Sequence, residues 1–386
     1  MPPSRRAPRL RPPQTPRRRR LELRRIVAFG CARRASVGAL LLLCAVTPLA
    51  HAARLRAPHL KQSSCKLEFG SFTAGHWPTA CWRPYAASSP FNTPIPANPR
   101  LAPDSNAIAG YLVSQHWTFA REHHGDFAIE ATGSRPVYWA LKSDPLVNVI
   151  CSGDGTCRPG LRLHIPAGAK PQDESDGHMT VVDQAAHREF DFWRAGTPEH
   201  GQITVAAASS IPIGPASGTG RDGNAEAAHL GLMGGLLRAA ELRSGVIDHA
   251  LAMAVPCEQS SDVWPAPAYG RSDQGCSGNG AGPHFGSLLQ LNMSDREIAA
   301  SGAPAWQRAI MRAMARYGIY VVDSNSPGNL EMSLIKENDE SFTSFGYPPA
   351  MANLIKAIGG GGSLIGVPID VTKLRVIAPC VPRRAC

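Results

Sequence analysis

The chain is poor in the features that assign a protein most quickly. It has 386 residues yet no apolar run of 18, so no segment is expected to span a membrane. It has no C-x2-C pair, no H-E-x-x-H, no EF-hand loop and no P-loop. No metal and no cofactor is therefore expected. One G-x-G-x-x-G match, Gly218 to Gly223, lacks the strand–helix–strand surroundings that a dinucleotide needs. The formal net charge of +10 misleads, because residues 1–52 hold twelve Arg, no Lys and one acid, Glu22. The remaining 28 basic and 29 acidic residues nearly cancel, which removes the electrostatic footprint of a nucleic-acid binder.

What is present suffices for a folded protein. Hydrophobic residues make up 43% of the chain, enough to bury a core, and 37 Gly with 34 Pro supply turns. Val37–Val46 is a short apolar run behind Arg33 and Arg34, followed by Ala50-His51-Ala52, an A-x-A cleavage site. This predicts a signal peptide over residues 1–52, cleaved near Ala52, and a secreted or periplasmic protein. A start at Val27 would give a leader of ordinary length. Removing Cys31 and Cys44 with the leader leaves eight cysteines, an even number. They fall into local couples: Cys65/Cys81, Cys151/Cys157, Cys257/Cys276 and Cys380/Cys386. Disulfides in an oxidising compartment account for them better than zinc does.

After a linker over 53–64, residues 65–330 read as a β-rich main domain and 331–386 as a C-terminal extension. From Asp126 onward, short extended runs alternate with Gly/Pro/Asp turns. They include Phe127–Glu130, Val137–Leu141, Leu161–Ile165, His178–Val182, Glu189–Trp193, Gln202–Ala206, Ile247–Ala254, Leu288–Leu291, Ile319–Val322 and Leu374–Ile377. Helices are expected at Ser105–Trp117, near Leu236–Arg243 and at Pro304–Tyr317, the last stopped by Gly318. The expected class is mainly β: an antiparallel, jelly-roll-like β-sandwich with two or three short helices, stapled by disulfides.

The most informative stretch is a hairpin, Asp176 to Asp183 followed by Glu189 to Trp193. Side chains alternate faces along a strand. Antiparallel pairing of apolar with apolar sets Met179 against Phe192 and Val181 against Phe190. His178 then falls opposite Trp193, and Thr180 opposite Asp191. One face is apolar; the other carries carboxylates, an imidazole and an indole. That second face is either an ordinary solvated surface or a sugar-binding one, where Trp193 stacks on a pyranose and Thr180 and the carboxylates bond its hydroxyls. Asp176 and Asp191 are the expected acid/base pair of a hydrolase, and His178 or Tyr317 the expected base of an elimination from a uronate. Elsewhere, His249 is either a core histidine or the floor of a cleft. Tyr317 is either helix-stripe core or a phenolic base. Gln290 and Asn292 share one strand face and could neutralise a uronate.

The segments DGHM-TVVD, REFDFW, Gly245–Leu251 and ARYGIYVVDSN together resemble a group of secreted bacterial proteins of uncharacterised function, over roughly Leu161 to Asn325. The resemblance implies export and a β-rich fold, and no activity. In general style the chain is similar to jelly-roll polysaccharide lyases and hydrolases. The expected function is a secreted enzyme that cleaves a polysaccharide, by hydrolysis or elimination. The alternative is a non-catalytic glycan-binding or cell-envelope protein. Either has a glycan as its partner, and the sequence sets no oligomeric state.

Overall fold

The computed structural model describes residues 66–123, 127–130, 135–153, 156–172, 175–214, 218–219, 225–255, 257–259, 261–267, 282–324, 333–334, 364–367 and 369–386. The chain divides into two units, residues 1–60 and 61–386. The leader, the linker, Cys65 and Cys276 lie outside the described residues. So does all of the first unit.

The second unit starts with β1 (Glu68–Phe69) and β2 (Trp82–Arg83), followed by α1 (Ser105–His123). Then come β3 (Phe127–Glu130), β4 (Val137–Ala140), β5 (Leu146–Cys151) and β6 (Arg162–His164). The hairpin is β7 (Met179–Asp183) and β8 (Arg188–Trp193), followed by β9 (Gln202–Val205) and β10 (Ala207–Pro212). Two short helices, α2 (Leu232–Gly235) and α3 (Ala239–Ser244), precede β11 (Leu251–Val255) and β12 (Leu288–Leu291). Last come α4 (Asp295–Ala300), α5 (Ala305–Arg316), β13 (Ile319–Ser324), β14 (Ser333–Leu334), β15 (Leu364–Val367) and β16 (Leu374–Ile377).

Local sequence accounts for the main helices. In α1, Ile108 and Leu112 stand one turn apart and are both buried. In α5, Ile310 and Met314 do the same, and Arg316 complements the carbonyl end. Gly318 then turns the chain into β13 with φ +86°, and a Cβ there would stand 2.8 Å from the Leu289 carbonyl oxygen. Helix α4 was not expected. Ser294 and Glu297 form a reciprocal cap at its start.

Sheet dominates helix, but the sheets are mixed where antiparallel ones were expected. A four-stranded sheet runs β10-β8-β7-β4, a seven-stranded one β15-β3-β14-β11-β13-β12-β16, and a three-stranded one β6-β5-β9. The pairs β4/β7, β5/β9, β11/β13, β3/β14 and β1/β2 are parallel. The boundary expected at residue 330 falls inside the seven-stranded sheet, because β14, β15 and β16 come from beyond it. Ile247–Ala250, expected as strand, lies before β11 rather than in it.

The hairpin register is the expected one. Met179 pairs with Phe192, Thr180 with Asp191 and Val181 with Phe190. Met179, Val181, Phe190 and Phe192 are buried against Val147, Val149, Leu163, Ile203 and Val205 of the three-stranded sheet. The opposite face of the same hairpin is buried as well, because Val137, Trp139, Val182, Ile211 and Ile213 belong to the large core that includes the seven-stranded sheet. The four-stranded sheet therefore has a core on each side.

Cys151–Cys157 and Cys380–Cys386 are disulfides, with Cα atoms 5.6 and 5.0 Å apart. Cys81 and Cys257 are disulfide-bonded too, and Tyr111 Oη sits 2.6 Å from Cys257 Sγ. Among the described residues, no helix is long and apolar enough to cross a membrane.

Candidate functional site

The polar face of the hairpin is not a surface. Thr180, Glu189 and Asp191 are buried because the segment around Tyr85 and the start of α2 lie over them. A buried polar group must be hydrogen-bonded, and these are. Asp191 accepts from Thr180 Oγ1 at 2.8 Å, Ser209 Oγ at 3.2 Å and the Leu232 N–H at 3.4 Å. Glu189 accepts from the Tyr85 hydroxyl and from the Met233 N–H at 2.9 Å. Burial and the neighbouring Asp191 charge push Glu189 well above the usual carboxylate range. Burial raises Asp191 too, while its donors and Glu189 hold it back. Of the two, Glu189 is the one lifted further, so it takes up a proton first. Asp191 and Thr180, expected at a substrate surface, are instead saturated by internal donors.

A second polar cluster lies at the end of this face. His178 enters β7 directly after Gly177, whose φ of +47° turns the chain beside Ala195. Asp323 comes from β13 through a bulge: Met253 pairs with Val321, but Ala254 pairs with Asp323. The extra residue, Val322, shifts the alternation and re-aims the carboxylate. Glu226 sits just before α2, on a segment tied to β13 by the Ala228 N–H to the Val322 carbonyl, 2.8 Å. Arg135 stands two residues before the start of β4.

Arg135 ion-pairs with Glu226 and stands 3.7 Å from Asp323, while His178 Nδ1 stands 4.0 Å from Glu226. The Glu226 side chain is 2% exposed and that of Asp323 25%, so the cluster meets solvent at Asp323. Burial lifts Glu226 well above the carboxylate range against the pull of Arg135, and its hydrogen bond to Asp323 lifts it further. Burial lifts Asp323 as well, with Arg135 and the hydrogen bond from Glu226 opposing. Glu226 is lifted the further of the two, so it is the first of the pair to take up a proton, with the Arg135 cation facing both. Burial, with the Arg135 charge beside it, pushes His178 well below the usual imidazole range. Its ring is neutral, a base next to an acid. One ligand atom each from His178, Glu226 and Asp323 lie within 4.8 Å of one another, which is metal-ligand spacing. Arg135 already supplies the positive charge there, so the residues suit a proton better than a cation.

Trp193 is half-buried beside this end. Its Nε1 donates to Asp176 Oδ1 at 3.3 Å, and the Arg194 guanidinium lies 4.3 Å from its ring centroid. Asp176 is exposed, and its charge raises Asp323. Thus Asp176 and Trp193 stand at the rim of the cluster, though neither is a buried acid.

The remaining expected residues are elsewhere. His249 is buried, with Nε2 2.9 Å from Glu241 and Nδ1 2.8 Å from the Ala250 carbonyl. It belongs to an ion network with Arg83 and Arg238. Tyr317 caps α5, and burial raises its pKa, the wrong direction for a base. Gln290 cannot receive a uronate, because it donates to the Ala315 carbonyl and accepts from Arg375. Asn292 is exposed beyond β12, off the end of the sheet away from Asp323. Sequence reasoning did not single out Arg135, Glu226 or Asp323 as site residues. A lone acid within Ala225-Glu226-Ala227-Ala228 was the available signal.

No protein family, curated protein or solved structure matches the chain.

Proposed function

We propose that the protein is a secreted carbohydrate-active enzyme that cleaves a uronate-containing polysaccharide by β-elimination at the Arg135–Glu226–Asp323–His178 cluster. The observation that carries the reading is geometric: His178 Nδ1 stands 4.0 Å from Glu226, in a carboxyl pair that Arg135 touches and that reaches solvent at Asp323. Elimination needs a base for the proton next to the uronate carboxylate and an acid for the departing oxygen. His178 supplies the first, and the Glu226–Asp323 pair delivers the second through the part of Asp323 that reaches solvent. The C4–O4 bond breaks, a C4=C5 double bond forms, and solvent returns the proton from His178 to the pair. Arg135 offsets the charge that builds on the carboxylate.

Hydrolysis is less well supported. It needs two carboxyls about 5–5.5 Å or about 6.5–9.5 Å apart, with the sugar bond between them. Glu226 and Asp323 hydrogen-bond each other directly, which leaves no room for it. Trp193 and Asp176 at the rim supply a stacking surface and an acceptor. That pair requires no chemistry, so it also favours a second reading, a glycan-binding protein without turnover. The oxidised cysteines fit an exported protein. The buried cluster shared by the four-stranded and three-stranded sheets supports a sandwich layer within the expected architecture.

The test is a panel of polysaccharides incubated with the purified mature protein, read for reducing ends and for unsaturated products. The expected result is unsaturated ends from a uronate polymer. Reducing ends without unsaturation would establish hydrolysis, and saturable binding without either would establish the binder.

A further inference from the structure

Strand β7 carries chemistry at both ends. Asp183, its last residue, points to the side opposite Thr180 and Val182 and is fully buried. Its Oδ1 accepts from the N–H groups of Ala185 at 2.9 Å and Ala186 at 3.2 Å. Its Oδ2 accepts from the His164 N–H at 2.8 Å and lies 3.0 Å from His164 Nδ1. A ring nitrogen that faces a carboxylate donates to it, so Asp183 fixes the tautomer and leaves Nε2 for another partner. The His164 side chain is 19% exposed and lines a cleft of about 580 Å³.

The composition of that cleft is one-sided. Lys142, Ser143 and Thr73 line it with an ammonium and two hydroxyls, Leu141 gives an apolar wall, the buried Phe72 closes it from beneath, and none of its lining residues is acidic. Asp183 stands behind His164 with its acceptors already engaged. A volume of this order suits a small molecule. The cleft is distinct from the proposed reaction site, since the five residues of β7 rise roughly 17 Å and Asp183 faces the other way from Thr180.

The geometry points to a second ligand site here, for a small sugar acid. Its carboxylate meets Lys142 and the two hydroxyls, a ring hydroxyl donates to His164 Nε2, and its C–H surface lies on Leu141. Asp183 is the positioning residue that aims the imidazole. This site does not depend on the elimination reading, and a protein without turnover would still have it.

The test is isothermal titration of the mature protein with glucuronate, glucose and acetate. Glucuronate should bind saturably, and glucose about tenfold more weakly, because it lacks the charge-assisted contact. Acetate should compete weakly, as a carboxylate without the ring. Lys142→Ala and His164→Gln should each weaken glucuronate binding about tenfold. His164 also ties β6 to β7, so thermal unfolding is measured beside it. Lys142 is exposed, and its variant should melt like the wild type. Absence of glucuronate binding, equal affinity for glucose, or binding unchanged in Lys142→Ala overturns the proposal.

Discussion

Glu189 shows how far a single residue can depart from what its neighbours in sequence suggest. It lies within Arg188–Trp193, a run whose alternation predicts a wet face, yet it is fully buried and held well above the usual carboxylate range. Burial is the main cause, so its folded pKa stands above its unfolded one. The stability it contributes is full below the ordinary carboxylate value of about 4 and is lost as pH rises through the raised value. Glu189→Gln keeps the shape and has no proton to lose. Its melting temperature relative to wild type should climb as pH rises from about 4 into the alkaline range. A difference constant with pH would mean that Glu189 does not carry the proton. Period-two alternation was enough to single out His178, Thr180 and Asp191. It could not find Arg135 or Glu226, which stand in irregular segments and meet partners 91 residues apart in sequence. It also could not foresee the bulge at Val322, which depends on a partner strand.

At the scale of elements, apolar alternation carried most of the information. β3, β12 and β16 have the bounds expected from it, and the hairpin register follows from matching Met179 and Val181 to Phe192 and Phe190. Phe192 is fully buried against the three-stranded sheet, so Phe192→Ala should cost about 3–5 kcal/mol in chemical denaturation. A loss below about 1 kcal/mol would mean that this layer is not packed as described. What the sequence hid was the second layer. A strand with one polar face reads as half-solvated, but Tyr85 and the N–H groups of Leu232 and Met233 cover that face and satisfy its carboxyls. The parallel pairs were hidden too, because they depend on how distant strands return to one sheet. Strand β5 was missed although it alternates, with Val147 and Val149 buried between exposed neighbours.

At the scale of the second unit, two buried polar clusters divide the labour. Glu241 accepts from Arg238 at 2.7 Å, stands 3.5 Å from Arg83 and 2.9 Å from His249 Nε2, and so ties the segment before Tyr85 to α3 and the approach to β11. Burial opposes its charge, but Arg238, His249 and Arg83 together hold its carboxyl far below the usual range. All its partners are internal, which is the pattern of a structural network. The Arg135 cluster differs, since it reaches solvent at Asp323 and sets the His178 imidazole beside two carboxyls that burial lifts. The most direct test of that contrast is turnover of Glu226→Gln on the polymer identified by the panel, with thermal unfolding measured on the same sample. The amide keeps the shape of Glu226 and an acceptor for Arg135, and the unfolding measurement separates any loss of the Arg135 pair from a loss of chemistry. The amide cannot give up a proton, so kcat should fall by about 10²–10⁴-fold. Turnover within a few-fold of wild type in a normally folded Glu226→Gln would contradict the assignment of the reaction to this cluster.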